Sequence, residues 1–110
     1  MEGKKRKIIF SRKLKQSLEG IYFYGVQTFG TNSANYFIDE VFGAISDLST
    51  KCFLHPECNH IPTKSKIYRN IIIGSYLIIY RIKPESIEVL IAIHGRQSPS
   101  KIKKYRSLKL

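Results

Sequence analysis

His94 and Arg96 flank Gly95 in a chain of 110 residues. A histidine can move a proton near neutral pH, and a guanidinium can hold the charge that builds on a phosphate under attack. Lys64, Lys66, Arg69 and Tyr105 complete a side-chain set suited to cutting RNA through its own 2′-hydroxyl. The bland alternative is a polar strand end leading into a solvated basic tail. Arg69 admits two roles as well. It is either a rim guanidinium that binds phosphate or carboxylate, or a brace for a neighbouring loop or the C-terminal tail. Lys101, Lys103, Lys104, Tyr105, Arg106 and Lys109 make an electrostatic contact segment or a solvated face.

A second cluster is Cys52, His55, Cys58 and His60, spaced C-x2-H-x2-C-x-H. These are possible zinc ligands. Structural zinc sites usually draw ligand pairs from two segments around a turn. Donors packed this closely, with Pro56 among them, would strain to close a tetrahedron. Cys52 is therefore read as a small core residue ending a helix, and neither a metal nor a cofactor is expected. No Gly-rich phosphate loop, paired catalytic carboxylates or Ser-His-Asp arrangement is visible.

The elements that must position these residues follow from apolar spacing. Lys5–Phe10 reads as a short first strand, and Ser11 as a helix N-cap. Arg12–Phe29 carries Leu14, Leu18, Ile21, Tyr22 and Val26 at helical spacing, with Gly30 as the stop. Thr31 or Asn32 caps a second helix to about Ser49. Its apolar face is Ala34, Phe37, Ile38, Val41, Phe42, Ile45 and Leu48. A linker of about three residues makes the two helices antiparallel neighbours. After a polar loop come three strands, Ile67–Gly74, Ser75–Lys83 and Ser86–His94. Gly74-Ser75 suits a two-residue hairpin turn, and Lys83–Ser86 a proline turn. The expected fold is α+β: an N-terminal strand, an antiparallel helical hairpin packed on a mainly antiparallel four-stranded sheet (β-αα-βββ), and a short basic C-terminal tail.

The turns set a register in which Arg69 faces Tyr80, Arg81 faces Glu88 and Tyr80 faces Val89. Ile67, Ile71, Ile73, Tyr76, Ile78, Tyr80, Ile82, Ile87, Val89, Ile91 and Ile93 then share the face that meets the helices. Tyr68, Asn70, Ile72, Leu77, Ile79, Arg81, Glu88, Leu90, Ala92 and His94 share a mixed face toward solvent or a partner. An Arg81–Glu88 cross-strand pair is worth about 0.2–1 kcal/mol.

Nineteen Lys+Arg against 8 Asp+Glu give a formal net charge of +11. The excess sits at both ends and along the sheet, which suits RNA, DNA or an acidic protein segment. No apolar run reaches the roughly 20 residues that span a bilayer. Two cysteines without a secretory signal suggest a reducing, cytoplasmic location.

The order of these motifs resembles the RelE/ParE superfamily of toxins from bacterial type II toxin–antitoxin systems. The resemblance runs through KIIFS, Tyr24, Gly30, Ala34, Phe37 and His55-Pro56, and is strongest in YR…GSYLIIYRI…IEVLIAIHGR. It covers nearly the whole chain as a single domain. It implies a growth-arresting toxin of a plasmid-stabilisation type of module. A cognate antitoxin would wrap it with an acidic or amphipathic segment. RelE-like members cut mRNA in the ribosomal A site with Lys, Arg, His or Tyr side chains on the open sheet face and tail. ParE-like members inhibit DNA gyrase and lack that set.

Arg96 matches the RelE-like catalytic arginine after the last strand. Arg69 matches the strand arginine common in ParE-like toxins. Leu77 stands where a RelE-like arginine would follow Tyr76, and Ile102 stands near the tail-tyrosine position. The expectation is therefore gyrase inhibition. In the alternative, a ribosome-dependent ribonuclease, the candidate catalytic residues are His94, Arg96, Arg69 and Tyr105, with His94 and Tyr105 substituting for the RelE-like residues that are missing. A second alternative is a non-toxic basic nucleic-acid-binding domain. Lys64, Lys66, Arg69, Arg81, Lys101, Lys103, Lys104 and Arg106 are the expected contacts to target or antitoxin.

Overall fold

The computed structural model describes residues 5–58, 61 and 63–95. Its elements are β1 (Lys7–Phe10), α1 (Arg12–Phe29), α2 (Thr31–Lys51), β2 (Tyr68–Ile73), β3 (Tyr76–Ile82) and β4 (Ser86–His94). The sheet order is β1-β4-β3-β2. β1 runs parallel to β4, and the other pairings are antiparallel. This is the expected β-αα-βββ arrangement. The expected basic tail lies outside the described residues. No helix among the described residues is long and apolar enough to cross a membrane.

Ser11 starts α1 as its sequence position predicts, with Oγ accepting from Leu14 N at 2.9 Å. Gly30 ends the helix at φ 97°, a left-handed conformation that costs glycine little. The linker differs from expectation. Gly30 N donates to Val26 O, and Gly30 O accepts from Ala34 N at 3.1 Å. One residue thus closes α1 and opens α2, so neither Thr31 nor Asn32 has to cap. A methyl group at Gly25 would sit 3.4 Å from Ala34 Cβ. These two small residues let the helices approach closely beside the turn.

The hairpin register is as predicted: Ile73 faces Tyr76, Arg69 faces Tyr80, and Arg81 faces Glu88. Beyond Tyr80 the faces need correction. Tyr80 pairs with Val89, but Ile79 pairs with Ile91, leaving Leu90 as an extra residue in β4. A bulge of this kind exchanges the two faces for every residue that follows it. Ile91 and Ile93 therefore join the far layer, and Ala92 joins the helix-side core.

The sheet consequently carries two buried layers. Leu14 and Leu18 of α1, Val41, Ile45 and Leu48 of α2, and Ile71, Ile78, Tyr80, Ile87 and Val89 of the sheet form the first. Burying such side chains contributes about 1.5–3 kcal/mol each before entropy is counted. The second contains Tyr68, Ile79, Leu90, Ile91 and Ile93, with Cys58 and Ile61 from the segment before β2. The far face is thus an apolar layer rather than a mixed surface open to solvent. Arg81 is buried within the sheet, not exposed. Its Nε donates to Glu88 Oε1 at 2.7 Å, and its Nη1 to Tyr68 Oη at 3.3 Å. Burial disfavours its charge, but the bonds to Tyr68 and Glu88 outweigh that and hold the guanidinium protonated.

Candidate functional site

Of the catalytic residues proposed for RNA cleavage, Arg69 and His94 lie among the described residues, and they stand apart. Arg69 faces Tyr80 and, across β3, Val89, whereas His94 ends β4 opposite Tyr76. The two lie at opposite ends of the sheet, about 13 Å apart along the strands at a strand rise of ~3.3 Å per residue. One scissile phosphate cannot touch both. Arg96, Tyr105, Lys101, Lys103, Lys104 and Arg106 lie outside the described residues.

His94 is exposed at its strand end. Its ring meets Tyr76 edge-on at 5.5 Å, and Tyr76 lies 5.4 Å from Phe37 of α2. Gly95 N donates to Ser75 O at 2.7 Å, which closes the sheet beside it.

Arg69 braces the loop that precedes it, one of its two anticipated roles. Nε donates to Lys66 O, and Nη1 donates to Phe53 O and His55 O at 3.0 and 2.9 Å. Lys64 and Lys66 are exposed in the turn before β2, where Lys66 adopts φ 56°. A non-glycine residue in that region is strained unless its surroundings hold it. Its carbonyl is one of those that Arg69 grips.

The cysteine and histidine cluster is divided by the sheet. Cys52 caps α2 and belongs to the helix-side core, while Cys58 belongs to the far layer. Cys52 O accepts from Tyr80 Oη at 2.5 Å. Burial pushes the Tyr80 hydroxyl well above its ordinary range, so it stays a donor. The His55 ring meets Tyr80 edge-on at 6.2 Å. Burial lowers the His55 pKa, and Asp47 opposes that in part. His60 lies outside the described residues. No group of three or more metal-ligating side chains occurs among the described residues.

A feature that sequence reasoning missed lies on the helical side. Phe10, Leu14, Leu18, Tyr22, Phe23 and Phe42 line an apolar groove of about 530 Å³. Phe42 was expected in the core but is 45% exposed, and Phe23 is 66% exposed. Phe10 and Phe42 stand 6.2 Å apart at one wall. Lys15 and Glu19 edge the groove, and Arg12 stands one helical turn before Lys15 on α1. The missed signal was Phe23. It falls off the apolar stripe of α1, where a large aromatic residue has no packing reason to be.

The family model described as ParE toxin of the type II toxin–antitoxin system, parDE, matches residues 8–99. A search of curated proteins returns no match. Among solved structures, the chromosomal ParDE toxin–antitoxin system from P. aeruginosa is similar at a TM-score of 0.66 and 16% identity, covering 81% of this chain and 95% of that one. The RelBE2 toxin–antitoxin complex from Mycobacterium tuberculosis is similar at a TM-score of 0.55 and 16% identity, covering 83% of this chain and 92% of that one. At such identities the two structures attest the fold. The family model spans both buried layers and the groove, and on that match the chain belongs to the ParE family of type II toxins within the RelE/ParE superfamily.

Proposed function

We propose that this toxin arrests growth by holding DNA gyrase rather than by cutting mRNA. The separation of Arg69 and His94 to opposite ends of the sheet carries this reading. A ribonuclease of this fold needs a proton-transfer group and cations around one phosphate. Here the far face is an apolar layer, Arg81 is tied to Glu88, and Arg69 is engaged by three backbone carbonyls. Ribosome-dependent cleavage is the second reading. The observation favouring it is His94, an exposed imidazole at the end of β4.

The cognate antitoxin silences the toxin by laying an amphipathic, acidic helix into the Phe10–Phe23–Phe42 groove. Apolar anchors at helical spacing suit the groove's aromatic walls, and acidic flanks suit Lys15 and Arg12. The module is cytoplasmic and of the plasmid-stabilising kind, and the toxin needs no cofactor. Expression without antitoxin tests the reading in cells. Filamentation with induction of the DNA-damage response is expected, and co-expressed antitoxin restores growth. Growth arrest without a damage response, accompanied by cleaved messages, would overturn it.

A further inference from the structure

We propose that the end of the sheet around Phe53 binds single-stranded nucleic acid, at a site separate from the α1–α2 groove. Phe53 follows α2 and is 56% exposed, and its neighbour Leu54 is 75% exposed. The guanidinium carbons of Arg6 and Arg69 each lie 5.4 Å from the centre of the Phe53 ring. Both guanidiniums are held in place. Arg6 Nε donates to Lys83 O at 2.9 Å, and its Nη1 reaches Cys52 Sγ at 3.7 Å. Arg69 is held by the carbonyls of Lys66, Phe53 and His55.

These partners fix the two cations without neutralising them. Neither guanidinium has a carboxylate partner among the described residues, in contrast with Arg81 beside Glu88. Lys66 and Lys83, whose carbonyls anchor the pair, are themselves exposed. Glu57 stands opposite Arg69 across an isolated β-bridge, but its Oε2 accepts from Thr63 N at 3.2 Å rather than pairing with the guanidinium. Glu85 follows Pro84 in the β3–β4 turn.

The result is a pre-positioned pair of cations with exposed apolar side chains between and beside them. Phosphates need the cations, and unpaired bases need a sequence-tolerant surface on which to lie. A duplex offers the phosphates but hides its base faces. An acidic peptide offers carboxylates without flat rings. Phe53 and Leu54 therefore favour a single strand.

The test is fluorescence anisotropy of the full chain with a short labelled oligodeoxythymidine, an oligouridine and a DNA duplex of equal length. Phe53→Ala leaves the net charge unchanged. It should weaken single-strand binding by about 5- to 150-fold and leave duplex binding unaltered. Leu54→Ala should weaken single-strand binding several-fold. Both side chains are largely exposed, so neither variant threatens the fold. Lys66→Gln should lower affinity for all probes and reduce the salt slope for single strands by about 0.7. The proposal is overturned if both apolar variants bind single strands like the parent protein. It is equally overturned if polyglutamate of matched charge displaces the oligonucleotide as well as oligodeoxythymidine does. Gyrase inhibition is a separate readout, so failure here leaves the proposed target untouched.

Discussion

Ser11 Oγ donates to Leu90 O at 2.5 Å while accepting from Leu14 N. One hydroxyl thus caps α1 and satisfies the extra residue of the β4 bulge. Two neighbouring bonds complete the arrangement: Ser11 N donates to Val89 O, and Ala92 N donates to Ser17 Oγ. The first turns of α1 take over as the partner of β4 where β1 ends. Ser11→Ala removes a cap worth about 1 kcal/mol and leaves a buried carbonyl unpaired at about 1–3 kcal/mol. A loss of about 2–4 kcal/mol is expected in denaturant unfolding. Faster amide exchange at Ala92 should accompany it. Unchanged stability would mean that water satisfies Leu90 as well as the serine does.

Buried Arg81 pairs with half-buried Glu88, so the value for an exposed cross-strand pair does not hold. Removing one partner strands the other inside the sheet. Arg81→Ala should cost about 3–5 kcal/mol, and the double variant Arg81→Met/Glu88→Leu should recover most of it. Chemical denaturation of both proteins checks this. A single-variant loss below about 1 kcal/mol would show that Glu88 reaches solvent on its own.

His55 makes stability depend on pH. Burial lowers its pKa below the ordinary 6.5, so the fold favours neutral imidazole and the unfolded chain binds the proton more readily. Its contribution is full above that ordinary value. It declines as pH falls through about 6.5 and levels off below the folded value. Between about pH 7 and pH 5, His55→Gln should flatten the profile of melting temperature against pH. An unchanged slope would assign it to other groups.

The groove predicts a separation of stability from binding. Phe42→Asp puts a charge on a half-exposed wall, so it should alter unfolding by less than about 1 kcal/mol. Antitoxin affinity should fall by about 10- to 100-fold, as loss of an apolar anchor gives. Calorimetric titration with the antitoxin's toxin-binding segment checks this. Unaltered affinity would place the antitoxin elsewhere.

Much of this architecture was legible in the chain. Ser11 and Gly30 bound α1 because a hydroxyl cap and a left-handed glycine are local features. Gly74 and Pro84 set the β2–β3–β4 register for the same reason. The Leu90 bulge was not legible. Val89-Leu90-Ile91-Ala92-Ile93 is apolar throughout, so nothing in its pattern marks the extra residue. That hidden residue sent Ile91 and Ile93 to the far face and turned an expected binding surface into a second core. Phe42 misled in the opposite way, because an aromatic residue on an apolar stripe reads as core whether a partner helix or its own chain covers it. The separation of Arg69 from His94 was implicit in the register, which sets Arg69 level with Tyr80 and Val89 while His94 ends β4.

The separation of those two residues is most directly tested by purifying the toxin and its His94→Ala variant. Gyrase supercoiling and mRNA integrity in a translating extract are then measured side by side. Both proteins should inhibit supercoiling to within about twofold and leave messages intact. Codon-internal cleavage that disappears with His94→Ala, with gyrase unaffected, would contradict gyrase as the target.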